Sequence, residues 1–183
     1  MLVSEIGASA VRRLSEDIAS TFKVGLLSDL HLNLNYNENY GPKVDDEGDC
    51  WTDSGTLTDV TAPMGRYGCD PPHVLLDTML DAFIEYHGKQ DVILITGDLC
   101  GHHTALSADL YPEGGSTDVE ILTHSKLVDL LGEKFPDTPI IPVFGNNDMK
   151  YHDNPEPLDE DQEFYEHIYD LWFDKLPGNK SSE

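Results

Sequence analysis

Ile93-Leu94-Ile95-Thr96-Gly97-Asp98 is a short apolar run that stops at a glycine followed by a carboxylate. Two other stretches have the same form: Leu26-Leu27-Ser28-Asp29-Leu30-His31 and Pro142-Val143-Phe144-Gly145-Asn146-Asn147-Asp148. Apolar runs of this length, rich in Val and Ile and separated by helical stretches, predict buried parallel strands. In open α/β sheets ligands bind beyond the carboxyl ends of the strands, so three polar clusters at three strand ends are expected to converge. The donors in these clusters are carboxylate, imidazole and amide, which points to a single metal site.

Working outward, strands are expected at 22–28, 91–96 and 139–144. From 73 to 87 the residues Val74, Leu75, Leu76, Met79, Leu80, Phe83 and Ile84 form one helical face, closed by Gly88. A second helix is predicted over 117–135, opened by a Thr117-x-x-Glu120 capping box and stopped by Pro136. The last is predicted over 162–176, ended by Pro177-Gly178. Residues 1–20 read as a short amphipathic helix and residues 32–72 as a long polar loop, without periodicity, of the kind that lines or covers a site as a lid. The order is βαβαβα in one α/β domain spanning 1–183.

Composition narrows the function classes. At 183 residues and 39% hydrophobic content, the chain can bury a core. Its 35 acidic against 11 basic residues give a formal charge of -24, which repels phosphate backbones, so nucleic acid is not an expected partner. There is no apolar run long enough for a transmembrane helix. The first twenty residues carry Arg12, Arg13, Glu16 and Asp17 without an apolar centre and do not form a secretory signal peptide. Of three cysteines, one is left over if Cys50 and Cys69 are bridged, and cysteine counting does not settle whether they are. The acidic spacing in 45–49 fits no EF-hand loop. Oligomeric state is not legible.

Asp29 and His31, two apart at a strand end, point the same way and can share one divalent ion. Asp98 offers a second carboxylate able to bridge two ions, and Asn146 adds an amide oxygen. Turn preference explains Asp and Asn at strand ends but not His31 or the repetition. Asp29-Leu30-His31, Gly97-Asp98 and Gly145-Asn146 together resemble the calcineurin-like metallophosphoesterases, whose pattern runs D-x-H, G-D, then G-N-H-D or G-N-H-E. That resemblance implies a layered α/β/β/α sandwich, of which this chain carries the N-terminal βαβαβα half. It also implies a metal-dependent phosphoric ester hydrolase with two divalent ions, zinc first and manganese or iron as alternatives. By it, Asp29 and His31 bind the first metal, Asp98 bridges, Asn146 binds the second, and a metal-bridging hydroxide attacks phosphorus in line.

A narrower likeness, over about residues 22–151, is to the acid sphingomyelinase-like phosphodiesterases. It rests on Ser28-Asp29-Leu30-His31-Leu32-Asn33, on Tyr67-Gly68-Cys69-Asp70-Pro71-Pro72, and on His102 four residues past Asp98. It implies a Cys50–Cys69 bridge with Cys100 as the free thiol, and a secreted or lysosomal family. The implied substrate is a phosphodiester or phosphomonoester, either a small molecule or a lipid head group. Trp51 and Tyr67 either line a substrate groove or pack the loop.

The chain departs from the family in two places. Asn147 stands where the G-N-H histidine is usual, and an amide can donate a hydrogen bond but cannot act as a general acid near neutral pH. His102 is expected to protonate the leaving group instead, with His103 a neighbour without a role. The chain also ends 35 residues after Asp148 without the family's two later histidine motifs. His73, His87, His124 and His167 read as ordinary helix-face residues, and His152 is the nearest substitute ligand. A catalytically silent fragment or binding remnant is therefore the alternative. Asn179-Lys180-Ser181 is a formal glycosylation acceptor.

Overall fold

Alternation of buried and exposed residues along the short strands decides where the helices sit. The computed structural model describes residues 21–43, 50–52, 55–102, 116–149, 162–176 and 179. The elements in chain order are β1 (Val24–Leu27), β2 (Tyr40–Gly41), β3 (Thr56–Leu57), α1 (His73–His87), β4 (Val92–Ile95), α2 (Ser116–Lys134), β5 (Ile140–Pro142), a 3₁₀ turn (Asn146–Asp148) and α3 (Gln162–Asp174). The expected N-terminal helix, the Thr117 side chain of the capping box, His103, His152, the 153–161 segment and Pro177-Gly178 lie outside what is described.

Strands β1, β4 and β5 form a parallel sheet in the order β1-β4-β5. Leu27 pairs with Ile95 and Ile95 with Pro142, so the three strand ends lie side by side. Leu27, Ile93, Ile95 and Ile140 face one core with Leu76 and Leu80 of α1, Leu127 and Leu131 of α2, and Ile168 and Trp172 of α3. The opposite face carries Val24, Leu26, Ile141 and Val143, exposed by 53%, 62%, 47% and 59%. Buried parallel strands were expected from the sequence, and among the described residues one face of the sheet is covered. Among the described residues, the parallel sheet carries its helices on one face.

The edge strand β5 is satisfied by a side chain. Asn179 Oδ1 accepts from Ile140 N at 2.8 Å, and its Nδ2 donates to Ile140 O and Trp172 O, each at 2.8 Å. These bonds replace a missing ladder neighbour and engage the nitrogen that glycosylation would need.

The 32–72 stretch, read as a long polar loop, carries local structure, and it holds the disulfide that the resemblance implies. It holds an antiparallel ribbon, Tyr40 opposite Leu57 and Gly41 opposite Thr56, and a Cys50–Cys69 disulfide. Two-residue strands are too short to leave an alternation signal. Arg66 donates to Thr58 Oγ1 at 2.9 Å and to the Val60 carbonyl, and the Tyr36 hydroxyl donates to Ala62 O at 2.6 Å. Trp51 is buried in this loop while Tyr67 is fully exposed, so packing accounts for the tryptophan. Polar contacts on an exposed loop stabilise weakly, which leaves the crosslink as its main constraint. Closing a loop of 19 residues' separation contributes about 3 kcal/mol by chain entropy, so Cys50→Ser with Cys69→Ser is expected to lower the unfolding free energy by about that amount in denaturant titration.

Candidate metal centre

Beyond the sheet, the β1 and β4 chains stay in register. Asp29 N donates to Gly97 O at 3.1 Å, His31 N to Asp98 O at 2.9 Å and Leu32 N to Leu99 O at 2.8 Å. Side chains from the two loops are therefore delivered to one place. Asp29, His31 and Asp98 have φ of 52°, 40° and 52°, and among the described residues they are the only non-glycines at positive φ. Left-handed backbone in a non-glycine residue is held only where the surroundings over-determine it, and such residues cluster at functional sites.

His31 Nδ1 lies 3.2 Å from the Cys100 carbonyl, which can only accept, so Nδ1 carries the proton and Nε2 keeps a free lone pair. That Nε2 is 3.9 Å from Asp29 Oδ1 and 3.9 Å from Asp98 Oδ2. The spacing is too long for hydrogen bonds and suits three atoms arranged around a shared cation. Two carboxylates and an imidazole with its tautomer already set form a group that could hold a divalent metal ion. The pairs Ser28 Oγ to Asp29 Oδ2, and Thr96 Oγ1 to Ser28 Oγ at 2.8 Å, orient the more exposed carboxylate.

The third loop is pressed against Asp98. A Cβ on Gly97 would meet Gly145 N at 2.5 Å, and one on Gly145 would overlap the Asp98 carboxylate. Glycine at both positions is thus a packing requirement, and Gly145→Ala is expected to displace Asp98 and weaken metal binding, read as a smaller metal-induced rise in Tm. Asn146 is exposed at the start of the 3₁₀ turn, immediately after this contact. Asn147 is buried, and its backbone N–H donates to Asp98 Oδ1 at 3.1 Å. The structure thus gives Asn147 a role in fixing Asp98 through its main chain, while its side-chain Oδ1 has no partner among the described residues.

Two residues that sequence reasoning passed over organise the site. Asp148, fully buried, accepts from Leu99 N and Cys100 N at 2.8 and 2.9 Å through Oδ1, and from Gly145 N at 2.8 Å through Oδ2. It pins the β4 and β5 loops together. Burial lifts its pKa against the opposing pull of those backbone N–H groups. Cys100 and His124 lie beside it within 4.8 Å, but both Asp148 oxygens are committed and burial with nearby Asp148 and Glu120 holds the Cys100 thiol protonated. That cluster is a clamp in the core. Asp70 is the second such residue: it follows Cys69, is 6% exposed, and contacts the His102 ring, which stacks on His31 with centroids 4.4 Å apart and planes 9° apart. The Cys-Asp-Pro-Pro stretch was visible in the sequence, but the separation of 32 positions from Asp70 to His102 hid the pairing.

A family model described as calcineurin-like phosphoesterase matches residues 22–182. The chain belongs to that family. This phosphoesterase is also 30% identical over 118 residues to a Dictyostelium discoideum protein described as sphingomyelinase phosphodiesterase D, covering 64% of this chain and 24% of that protein. It is 30% identical over 148 residues to acid sphingomyelinase-like phosphodiesterase 3b of Mus musculus, covering 80% and 29%. It is 29% identical over 136 residues to an endopolyphosphatase of Schizosaccharomyces pombe, covering 69% and 22%. The phosphoesterase chain thus spans about a quarter of the length of these relatives. Its family is metal-dependent and hydrolyses phosphoric esters, and its fold is mixed α/β about a parallel sheet. No helix among the described residues is long and apolar enough to cross a membrane.

Proposed function

We propose that this chain carries the phosphodiesterase chemistry of the acid sphingomyelinase-like branch, with Asp29, His31, Asp98 and Asn146 as metal ligands and His102 serving the leaving group. The observation that carries the reading is the meeting of His31 Nε2 with two carboxylates at 3.9 Å, all three residues being held in left-handed backbone. Asp29 and Asp98 set a local negative field that would draw divalent cations, and Asp98 is the carboxylate that would be shared if two were held. When bound, two divalent ions supply Lewis acidity at the phosphoryl oxygens and an activated water. Asp98 is held for that task by Asn147 N–H and by the close approach of Gly145. The role given to His102 is supported by its stacking on His31 and its 40% exposed side chain, which leave it beside the carboxylate pair and open to solvent. Of the substrate types named among the relatives, a phosphodiester with a small head group fits better than polyphosphate, because a chain of charge -24 repels a polyanion.

A second reading, a folded remnant that binds without turnover, is favoured by the exposed sheet face of Val24, Leu26, Ile141 and Val143. The two separate in one assay. Purified chain with zinc or manganese is expected to hydrolyse bis-p-nitrophenyl phosphate and to lose the activity in chelator. Metal-induced stabilisation without turnover supports the remnant, and neither response overturns the metal site.

A further inference from the structure

We infer that the uncovered face of the sheet is the docking surface of the chain's own residues 1–20, which lie outside the described residues and lead directly into β1. Phe22, Val24 and Leu26, two apart along one strand, share that face and are exposed by 70%, 53% and 62%. Across the sheet, Ile141 and Val143 are exposed by 47% and 59%, and Val92 and Leu94 of the central strand are half-buried between them. The apolar surface is therefore continuous over all three strands. A globular chain rarely leaves so large an apolar patch open, and among the described residues nothing covers it.

Pattern, charge and length select the occupant. Val3, Ile6, Ala10, Val11, Leu14 and Ile18 recur at the three- and four-residue spacings of one helical face, with Glu5, Arg12 and Glu16 opposite. Arg12 and Arg13 against Glu5, Glu16 and Asp17 leave the segment nearly neutral in a chain of charge -24, so the body of the protein repels it least. The acidic 150–161 stretch, interrupted by Pro155 and Pro157, has neither property. Three strands measure about 10 Å from first to last, and a helix is about 10 Å across, so one helix spans the width. Four strand residues are about 13 Å long and roughly 18 helical residues about 27 Å, so the length suffices too. Thr21 alone separates the segment from Phe22, and so short a connection returns a helix against the strand that follows it. A second copy fits worse. Each copy brings a charge of -24, and a face of about 10 by 13 Å falls far below the roughly 800 Å² that each partner of a stable interface buries. A face closed from within no longer favours the binding-only remnant, and that question passes to the turnover assay alone.

The deciding measurement uses the full, unsubstituted chain: methyl NOE spectra of a mixture in which half the molecules are isotope-labelled, so that contacts within and between chains are read separately. Leu14 and Ile18 are expected to show NOEs to Val24, Leu26 and Ile141 within one chain. Contacts only between labelled and unlabelled chains give the face to a second copy, and no contact from the segment leaves the face open; either result overturns the inference. A pair of variants reads the same surface by its affinity for an apolar dye, 8-anilinonaphthalene-1-sulfonate. Leu14→Asp places a charge in the apolar stripe, and Ser9→Asp places the same charge on the polar side of the segment. Dye fluorescence is expected to rise on the order of fivefold in Leu14→Asp and to stay at the wild-type level in Ser9→Asp, with cooperative unfolding retained in both. Equal fluorescence in the two variants overturns the docking, and a Leu14→Asp chain that fails to fold leaves the NOE experiment, which needs no variant, to decide.

Discussion

Asp98→Ala is expected to abolish metal-dependent hydrolysis, lowering kcat/KM on the order of a thousandfold, which corresponds to the several kcal/mol that Lewis-acid stabilisation supplies. Asp98 sits on the central strand's loop, its Oδ2 facing His31 Nε2 at 3.9 Å and its Oδ1 taking Asn147 N–H at 3.1 Å. Alanine removes the proposed ligand and the charge opposite Asp29 together. The apo fold should be little affected, because the lost hydrogen bond is worth about 1 kcal/mol and the relief of carboxylate repulsion offsets part of it. Metal-free Tm is therefore expected to stay near that of the wild type while the metal-induced rise disappears. Asp98→Asn is the sharper control: it preserves the acceptor for Asn147 and removes the charge, so similar loss in both variants assigns the effect to the metal. Wild-type metal binding in either variant removes Asp98 from the ligand set.

How far the sequence revealed this arrangement depended on the distance over which each signal acts. Helix α1 was legible to the residue, because an apolar stripe from Val74 to Ile84 and the closing Gly88 are local signals. The strand cores were legible too, and the parallel order followed from helices intervening between apolar runs. The meeting of Asp29, His31 and Asp98 could be suspected because the ends of β1 and β4 carry them within a few residues of the strands. What stayed hidden was non-local. The Asp70–His102 pair spans 32 residues, and the Asp148 clamp on Leu99 and Cys100 spans 49 and 48. Asp148 was read only as part of a motif, and His124 as an ordinary helix-face residue, whereas the structure buries it completely. A histidine inside a helix looks the same in sequence whether its face meets water or Trp172.

That burial sets the largest stability prediction. His124 Nδ1 accepts the Trp172 indole N–H at 3.1 Å, and desolvation lowers the imidazole pKa from 6.5 to about 3. The folded state therefore keeps His124 neutral in a range where the unfolded chain binds a proton. Its contribution is complete above pH 6.5 and is lost as pH falls toward 3, at about 1.4 kcal/mol per pH unit, or roughly 4 kcal/mol by pH 3.5. Asp148 runs the other way: burial raises its pKa, so its stabilising contribution is present at acid pH and fades as pH rises through the folded value. His124→Gln separates the two, since glutamine can accept from Trp172 without titrating, and denaturant unfolding from pH 7 to 4 should fall less steeply in the variant. Parallel curves would mean that His124 gains a proton in the fold as easily as out of it. The consequence reaches the metal centre, because the His124 ring lies edge-on to Phe144 at 5.6 Å, one residue before Gly145 and the loop that carries Asn146 and Asp148. An acid-driven charge on His124 would loosen the packing under that loop first, so loss of metal-induced stabilisation is expected to precede global unfolding as the pH is lowered.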